Sequence, residues 1–155
     1  MKISIAADHR GLPAKERIVS LLEEMGHDVL DMGTNSSKSC DYPDTGYHAS
    51  KVVADGKAER GILVCGSGIG MSIVANKVDG VRAALCHDEM SAELSRRHND
   101  ANVLCLASDV LGDELIRRIV ANWLKTDFET SGRHQRRVDK IGMIEQGQDP
   151  AEAEA

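Results

Sequence analysis

An α/β fold with a five-stranded parallel sheet is what this sequence of 155 residues predicts. Five short apolar segments alternate with segments whose apolar residues recur at helical spacing, which is the order of elements in α/β proteins. The apolar segments are hydrophobic throughout, as are parallel strands that helices cover on both faces. The length suits a single domain, in which one core can bury about 70% of the surface of the unfolded chain.

The predicted strands and helices alternate over the first 125 residues. The strands cover residues 2–7, 27–32, 61–65, 81–86 and 102–106. The helices cover residues 12–25, 48–58, 71–77, 88–98 and 109–125. A polar, turn-rich loop is predicted for residues 33–48. In folds of this kind ligands bind beyond the carboxyl ends of the strands, so residues that follow a strand are the candidates for a site.

The last part of the chain does not fit this alternation. Residues 131–146 predict one more helix with no strand after it, and Val138, Ile141 and Ile144 give it an apolar side. A terminal helix with an apolar face often docks on a neighbouring subunit, so we expect it to reach a partner. Residues 1–146 are therefore interpreted as a single domain, and the acidic residues 147–155 as a disordered tail.

Composition excludes several classes of function. The 19 basic and 25 acidic residues give a net charge of −6, which argues against binding a nucleic acid. Aromatic residues make up 3% of the chain, too few for a platform that stacks single-stranded bases. No segment has the roughly 18 apolar residues of a membrane span, and the N-terminus lacks the layout of a signal peptide. We expect a cytoplasmic protein that binds neither nucleic acid nor membrane.

The cysteines argue against a metal site and a disulfide framework. They follow no C-x-x-C spacing, and we interpret all of them as reduced thiols: Cys40, Cys65, Cys86 and Cys105.

Charged side chains follow the first predicted strand. Asp8, His9 and Arg10 bring a carboxylate, an imidazole and a guanidinium to the strand's carboxyl end. They could simply cap the next helix. Their position at the ligand-binding edge favours a functional site.

A glycine-rich turn follows the third strand, from Cys65 to Gly70. Glycines at 66, 68 and 70 allow successive N–H groups to face one point and bind an anion, although a tight turn is the simpler alternative. The turn lacks the Gly-Lys-Ser/Thr of a P-loop and the third glycine of a dinucleotide fingerprint. Cys65 could be a small buried hydrophobe. Beside the turn and Ser67, it is better placed to carry a proton as a thiolate.

Two further groups of polar residues stand out. His98 and Asn99 lie at the end of a predicted helix, before the fifth strand. The alternative for His98 is a structural one, a cation at the C-terminus of that helix. Arg133 and Arg137 are four residues apart, on one face of the last predicted helix. Two guanidinium groups one turn apart match a phosphate dianion, and the alternative is a solvated charged face.

These groups together suit proton transfer next to a carbonyl. Aldose–ketose isomerisation moves a proton between C2 and C1 through an enediolate. It needs one base, donors for the negative oxygen and a group that opens the sugar ring. It needs no cofactor and no metal.

The motifs also carry a family resemblance. In the same order along residues 2–146, they resemble the sugar-phosphate isomerase family that includes ribose-5-phosphate isomerase B and the galactose-6-phosphate isomerase subunits. The motifs are Asp8-His9-x-Gly11, Asp41-Tyr42-Pro43, Cys65-Gly66-Ser67-Gly68-Ile69-Gly70, Ala75-Asn76-Lys77, His98-Asn99-Asp100-x-Asn102-Val103 and Gly132-Arg133-His134-Gln135-x-Arg137.

The resemblance implies a Rossmann-like three-layer α/β/α sandwich and a homodimer, or a tetramer of paired dimers. The active site would lie between subunits, with the last helix reaching over the partner. The expected reaction interconverts ribose 5-phosphate and ribulose 5-phosphate. The alternatives are a six-carbon substrate, such as allose or galactose 6-phosphate, and a non-catalytic module that binds a phosphorylated ligand.

The resemblance also implies roles for individual residues. Cys65 would move the proton with the help of Ser67, and His98 would open the ring. Asp8 would bind ring hydroxyls, and His9 the ring or the phosphate. The partner's copies of Arg133 and Arg137 would bind the phosphate. The remaining expected contacts with the substrate are Tyr42, Gly66, Gly68, Ile69, Gly70 and Asn99.

Two departures from the family put the substrate in question. Asp109 stands where some relatives carry a phosphate-binding arginine, so either it turns away or Arg10 compensates its charge. Residues 44–48 look longer than the usual link between Asp-Tyr-Pro and the next helix.

Overall fold

The computed structural model describes residues 1–130 and 132–153 and confirms the α/β fold with a five-stranded parallel sheet. The strands are β1 (Lys2–Ala7), β2 (Asp28–Asp31), β3 (Arg60–Cys65), β4 (Ala83–Leu85) and β5 (Val103–Ala107). The helices are α1 (Leu12–Glu24), α2 (Tyr42–Ala54), α3 (Ile69–Ala75), α4 (Glu89–Asn99), α5 (Asp113–Lys125) and α6 (Arg133–Glu145). Strand order is β2-β1-β3-β5-β4, and every neighbouring pair is parallel.

Two apolar layers cover the sheet, one on each face. Helices α1, α4 and α5 pack on the face that carries Ile3 and Ile62, together with the fully buried Trp123 of α5. Helices α2 and α3 pack on the face that carries Leu63 and Cys65. Successive side chains of a strand point to opposite faces, so β3 supplies both layers in turn. Among the described residues, no helix combines the length and apolarity needed to cross a membrane.

Helix α2 begins six residues earlier than the sequence suggests. It starts at Tyr42, whereas the prediction placed residues 33–48 in a loop and the helix at 48–58. Pro43 is the physical reason, because a proline fits the first turn of a helix, where its missing N–H is not needed. Residues 44–48 therefore lie within α2, and the expectation of a lengthened link there is wrong.

Helix α6 packs along its own chain. It lies against α4, and the carboxylate of Glu145 accepts a hydrogen bond from the Gly80 amide at 3.0 Å. Of its predicted apolar side, Ile144 is 60% exposed and Ile141 is 37% exposed. Much of that side is thus uncovered in a single chain. Ser131, predicted as the first residue of this helix, lies outside the described residues.

The residues after α6 include a short 3-10 turn. Pro150–Glu152 form it, and the carbonyl of Ala153 accepts a hydrogen bond from Lys140 Nζ at 3.2 Å. The sequence analysis expected no order here. Residues 154 and 155, the end of that predicted tail, lie outside the described residues.

A buried lysine fixes the segment that follows β2. Lys15 of α1 is 1% exposed, and its Nζ lies 2.7 Å from both carboxylate oxygens of Asp31. The same ammonium donates to the carbonyl of Thr34 at 2.8 Å and to Oδ1 of Asn35 at 2.7 Å. A buried charge is tolerated when it is paired and hydrogen-bonded in this way. Helix α1 is therefore tied to residues 31–35.

We predict that Lys15→Met lowers the free energy of unfolding by about 2 kcal/mol, because it removes the hydrogen bonds of a buried ammonium that tie α1 to residues 31–35. Urea denaturation measures the loss. Lys57→Met is the matched control, since Lys57 pairs with Asp55 at 3.2 Å on the surface and exposed pairs contribute little. Equal stability of the two variants would contradict the role assigned to Lys15.

Candidate active site

Asp8 and Cys65 lie at the carboxyl ends of two neighbouring strands, β1 and β3. Asp8 is buried, and its Oδ1 accepts hydrogen bonds from the amides of Arg10 at 3.0 Å and Gly11 at 2.9 Å. Both bonds use one oxygen, so the other can accept a bond from a ligand hydroxyl. The Asp8 carboxylate thus caps the turn before α1, and its second oxygen remains able to bind a ligand.

The thiol of Cys65 is held by the glycine-rich turn. It is 4% exposed, and its Sγ accepts a hydrogen bond from the Gly68 amide at 3.1 Å. The hydroxyl of Ser67 accepts a bond from the Ile69 amide at 3.3 Å. The glycine-rich turn therefore fixes the position of the Cys65 sulfur as well as reversing the chain.

Gly68 lets this turn sit directly on the sheet. Its φ is +71°, in the left-handed region that favours glycine. A Cβ here would lie 2.5 Å from Leu85 Cδ1 and 2.9 Å from the carbonyl carbon of Leu106. Residues of β4 and β5 therefore set the height of the turn above the sheet, and with it the position of the Gly68 amide.

Tyr42 forms a wall beside the turn. A Cβ on Gly70 would lie 2.6 Å from its ring, so the ring packs directly against the backbone of Gly70. Thr45, one turn further along α2, donates from Oγ1 to the carbonyl of Ala7 at 3.0 Å. The early start of α2 thus brings Tyr42 to the edge where Asp8 and Cys65 lie.

His9 is turned towards the loop before α2. Its Nδ1 lies 3.2 Å from the carbonyl oxygen of Cys40 and 3.3 Å from the Cys40 amide nitrogen. Whether Nδ1 donates or accepts depends on the tautomer. In either case Nε2 is the ring nitrogen available to a ligand.

Arg10 compensates the charge of Asp109, which decides between the two alternatives for that acid. Nε and Nη2 of Arg10 lie 2.8 and 2.6 Å from Oδ2 of Asp109. This hydrogen bond, and then the charge of Asp109, raise the pKa of Arg10. The Asp109 amide also donates to the carbonyl of Gly66 at 3.0 Å, so the pair borders the turn.

His98, Asn99, Arg133 and Arg137 lie together elsewhere, where α6 meets the end of α4. The ring of His98 stacks on the ring of His134, with centroids 4.1 Å apart. The carbonyl of Asn99 accepts a hydrogen bond from Arg82 Nε at 3.1 Å. Arg133 and Arg137 are exposed in the first turns of α6. The sequence analysis gave His134 no role, and its only signal was its place between the arginines.

Within one chain these residues and Cys65 lie at opposite edges of the sheet. Helix α4 starts beyond the carboxyl end of β4 and ends at Asn99, just before β5 begins. A strand of six residues such as β3 spans roughly 16–20 Å. We call Asp8, His9, Tyr42, Cys65 and Ser67 the carboxyl-edge group. His98, Asn99, Arg133 and Arg137 are the helix-end group. A single chain does not bring them onto one small substrate.

The donor set beside His98 does not fit a metal ion. Atoms of His98, Glu129 and His134 that could act as ligands lie within 4.8 Å of one another. The two imidazole planes, however, are within 1° of parallel. A ring nitrogen binds a metal along its lone pair, which lies in the plane of the ring. Two stacked rings therefore cannot aim their lone pairs at one ion.

A family model described as Ribose/Galactose Isomerase matches residues 3–141. The chain belongs to this family. The match includes the turn with Cys65, His98 and both arginines of α6, and it confirms the resemblance carried by the sequence motifs.

Two similar proteins differ in the sugar that they are named for. Ribose-5-phosphate isomerase B of Escherichia coli is 48% identical over 145 residues, covering 94% of this chain and 97% of that protein. D-erythrulose-4-phosphate isomerase of Pectobacterium atrosepticum is 42% identical over 146 residues, covering 94% of this chain and 95% of that protein.

Solved structures of the family have the same fold. That of ribose-5-phosphate isomerase B from Clostridium thermocellum has a TM-score of 0.93 at 48% identity, covering 95% of this chain and 99% of that one. The Mycoplasma genitalium enzyme, solved with bound ribulose-5-phosphate, has a TM-score of 0.90 at 44% identity, covering 94% and 96% of the two chains.

We predict that Gly68→Ala lowers the free energy of unfolding by about 3 kcal/mol, because the added Cβ meets β4 and β5 in a left-handed conformation. Gly26→Ala is the control. Gly26 has a similar φ of +79°, and a Cβ there would meet nothing within 4 Å. It should lose only about 1 kcal/mol. Chemical denaturation measures both free energies of unfolding. Equal losses in the two variants would contradict the close packing of the turn.

Proposed function

We propose that this chain is an isomerase that interconverts ribose 5-phosphate and ribulose 5-phosphate. The observation that carries the proposal is the thiol of Cys65, buried at the carboxyl edge and hydrogen-bonded by the Gly68 amide. It lies beside the Asp8 carboxylate in a chain that matches ribose-5-phosphate isomerase B of E. coli over nearly its whole length.

The proposed mechanism uses Cys65 as the base. As a thiolate it removes the proton from C2 of the open aldose, and the electron pair of that bond forms an enediolate with the carbonyl carbon. The thiol then delivers a proton to C1, after exchange with solvent in a fraction of turnovers, while a hydroxyl proton moves from O2 to O1. One base can serve both carbons because they are adjacent. The hydroxyl of Ser67 and the amides of residues 66–70, apart from those of Gly68 and Ile69 that already donate to Cys65 and Ser67, would stabilise the enediolate oxygens. Asp8 would hold the sugar hydroxyls.

Cys65→Ala should lower kcat by roughly 10³-fold, the contribution of a positioned proton carrier, and should stop the exchange of the C2 proton with heavy water. An isomerase assay and proton NMR measure these effects. Cys86→Ala is the control: Cys86 is a buried thiol on the other face of the sheet, and burial raises its pKa. It should stay close to wild-type activity. Full turnover by Cys65→Ala would rule out the thiol mechanism.

The separation of the two groups of residues supports a site shared between two copies. Ring opening by His98 and phosphate binding by Arg133 and Arg137 would have to occur next to Cys65, yet within one chain they lie at the other edge of the sheet. A two-fold dimer brings the helix-end group of each chain to the carboxyl-edge group of the other, and thereby forms two complete sites. The exposed apolar side of α6 gives such a dimer surface to bury.

Mixing two inactive variants tests the shared site. Cys65→Ala and Arg137→Ala damage different groups, so a mixed dimer keeps one intact site out of two. After the variants are unfolded and refolded together in equal amounts, activity at low substrate concentration should reach about a quarter of the wild-type value. Each variant refolded alone is the control. A mixture no more active than its components would contradict the shared site.

The length of the sugar is the remaining question, because a 42% identical relative is named for a four-carbon sugar phosphate. We expect kcat/KM to be highest for ribose 5-phosphate in a series of four-, five- and six-carbon aldose phosphates. A higher value for another length would replace the substrate but keep the reaction. Saturable binding without turnover of any sugar would favour the binding module. We also propose a cytoplasmic location, since sugar phosphates are charged and occur where they are made.

A further inference from the structure

Two imidazole rings lie stacked where α6 meets the end of α4. The centroids of His98 and His134 are 4.1 Å apart, and the ring planes are within 1° of parallel. His134 is 4% exposed, although its helix is otherwise exposed or half-buried over the described residues. The burial of this one side chain follows from its position against the ring of His98 and the end of α4.

The polar atoms of His134 bind little else. Its Nδ1 is buried and has no hydrogen-bond partner among the described residues. Within the described part of the chain its Nε2 has one hydrogen-bond partner, Nε of Arg133, at the long distance of 3.5 Å. A histidine that is kept for its hydrogen bonds would be better paired than this. The main interaction of the His134 side chain is therefore the stacking of its ring face on His98.

The surroundings of His134 favour its neutral form. Burial first, and then the charges of His98, Arg133 and Arg137, lower the pKa of His134, while Glu129 acts in the opposite direction. A neutral aromatic ring can lie against either charge state of a neighbouring imidazole, and it attracts a cation above its face. A second imidazolium would repel it. A neutral ring at His134 is therefore compatible with proton transfer by the neighbouring His98.

Stacking also limits how His98 can turn. A histidine side chain rotates about two bonds, and the torsion next to the ring is only weakly restricted. A parallel ring at van der Waals distance excludes most of those orientations. Fixing a reacting group in one orientation before the substrate arrives increases the rate of the step in which it acts.

We propose that His134 is a positioning residue, whose stacked ring orients His98 for the proton transfer that opens the sugar ring. This inference rests on the proposed function, because only an isomerase of a cyclic sugar phosphate needs the step. A second aldose phosphate that forms no such ring then separates this role from others. Ribose 5-phosphate closes into a ring through its C4 hydroxyl. The four-carbon erythrose 4-phosphate stays open, because its C4 hydroxyl carries the phosphate.

The test measures kcat/KM for these two aldose phosphates with two substitutions of His134. His134→Ala removes the stack and should lower kcat/KM for ribose 5-phosphate about tenfold, the upper range for an aromatic pair. The loss for erythrose 4-phosphate, which needs no ring opening, should be about twofold or less. His134→Phe keeps a neutral ring and should restore most of the activity. Gln135→Ala is the control, since among the described residues the Gln135 side chain bonds only to Asp139 of its own helix, at 2.7 Å.

Equal losses for the two aldose phosphates would show a structural or phosphate-binding role, since both substrates carry the phosphate, and would overturn the inference. So would unchanged activity of His134→Ala on ribose 5-phosphate. Failure of His134→Phe to recover activity would also overturn it, because the ring face would then not be what matters.

NMR tests the stack independently of activity. A parallel ring at 4.1 Å shifts the ring protons of His98 upfield, and the signals can be assigned with His98→Gln. The shift should disappear in His134→Ala and remain in His134→Phe. Its absence from an active wild-type enzyme would overturn this inference alone. A wild-type protein inactive on every sugar phosphate, with the shift present, would instead overturn the proposed function and the role that depends on it.

Discussion

A β-strand of six residues separates its ends by roughly 16–20 Å, and this chain divides its reactive side chains between the two edges of the sheet. The carboxyl-edge group has an acid, a thiol and a turn of backbone amides. The helix-end group has an imidazole and two guanidinium groups. Each group lacks what the other supplies for an isomerase of sugar phosphates. The fold holds each group in place, and the proposed pairing of two copies turns this division into two whole sites.

The two groups are held in different ways. The carboxyl-edge group is fixed by backbone: the Gly68 amide on Cys65, the Arg10 and Gly11 amides on Asp8, and the Gly70 backbone against Tyr42. The arginines of the helix-end group are exposed on one helix that packs along the side of the domain. The net charge of −6 belongs to the whole surface, whereas the positive charge that suits a phosphate is confined to the start of α6.

Much of this arrangement could be predicted from the sequence. Continuous apolar segments predicted the parallel strands, and the polar residues after β1 and β3 predicted the carboxyl-edge group, because strand ends meet at one edge. The start of α2 was missed because Pro43, Asp44 and Gly46 look like turn residues, although proline also suits a helix start. The pairing of Arg10 with Asp109 joins residues 99 positions apart, and no local pattern reveals such a contact. The stack of His134 on His98 depends on how α6 lies against α4, which periodicity does not specify.

The contact of Gly68 with the side chain of Leu85 has a consequence for how members of this family diverge. Because this side chain and the backbone of Leu106 set the height of the glycine-rich turn, a change of volume at Leu85 would move the Gly68 amide that binds the thiol. We therefore expect natural variation at Leu85 to be restricted by the position of that amide as well as by stability. We expect relatives with different sugars to vary little here and more among the exposed residues of α6. If the turn itself differed between substrates, an alignment of relatives grouped by substrate would show more variation beside Gly68 than in α6.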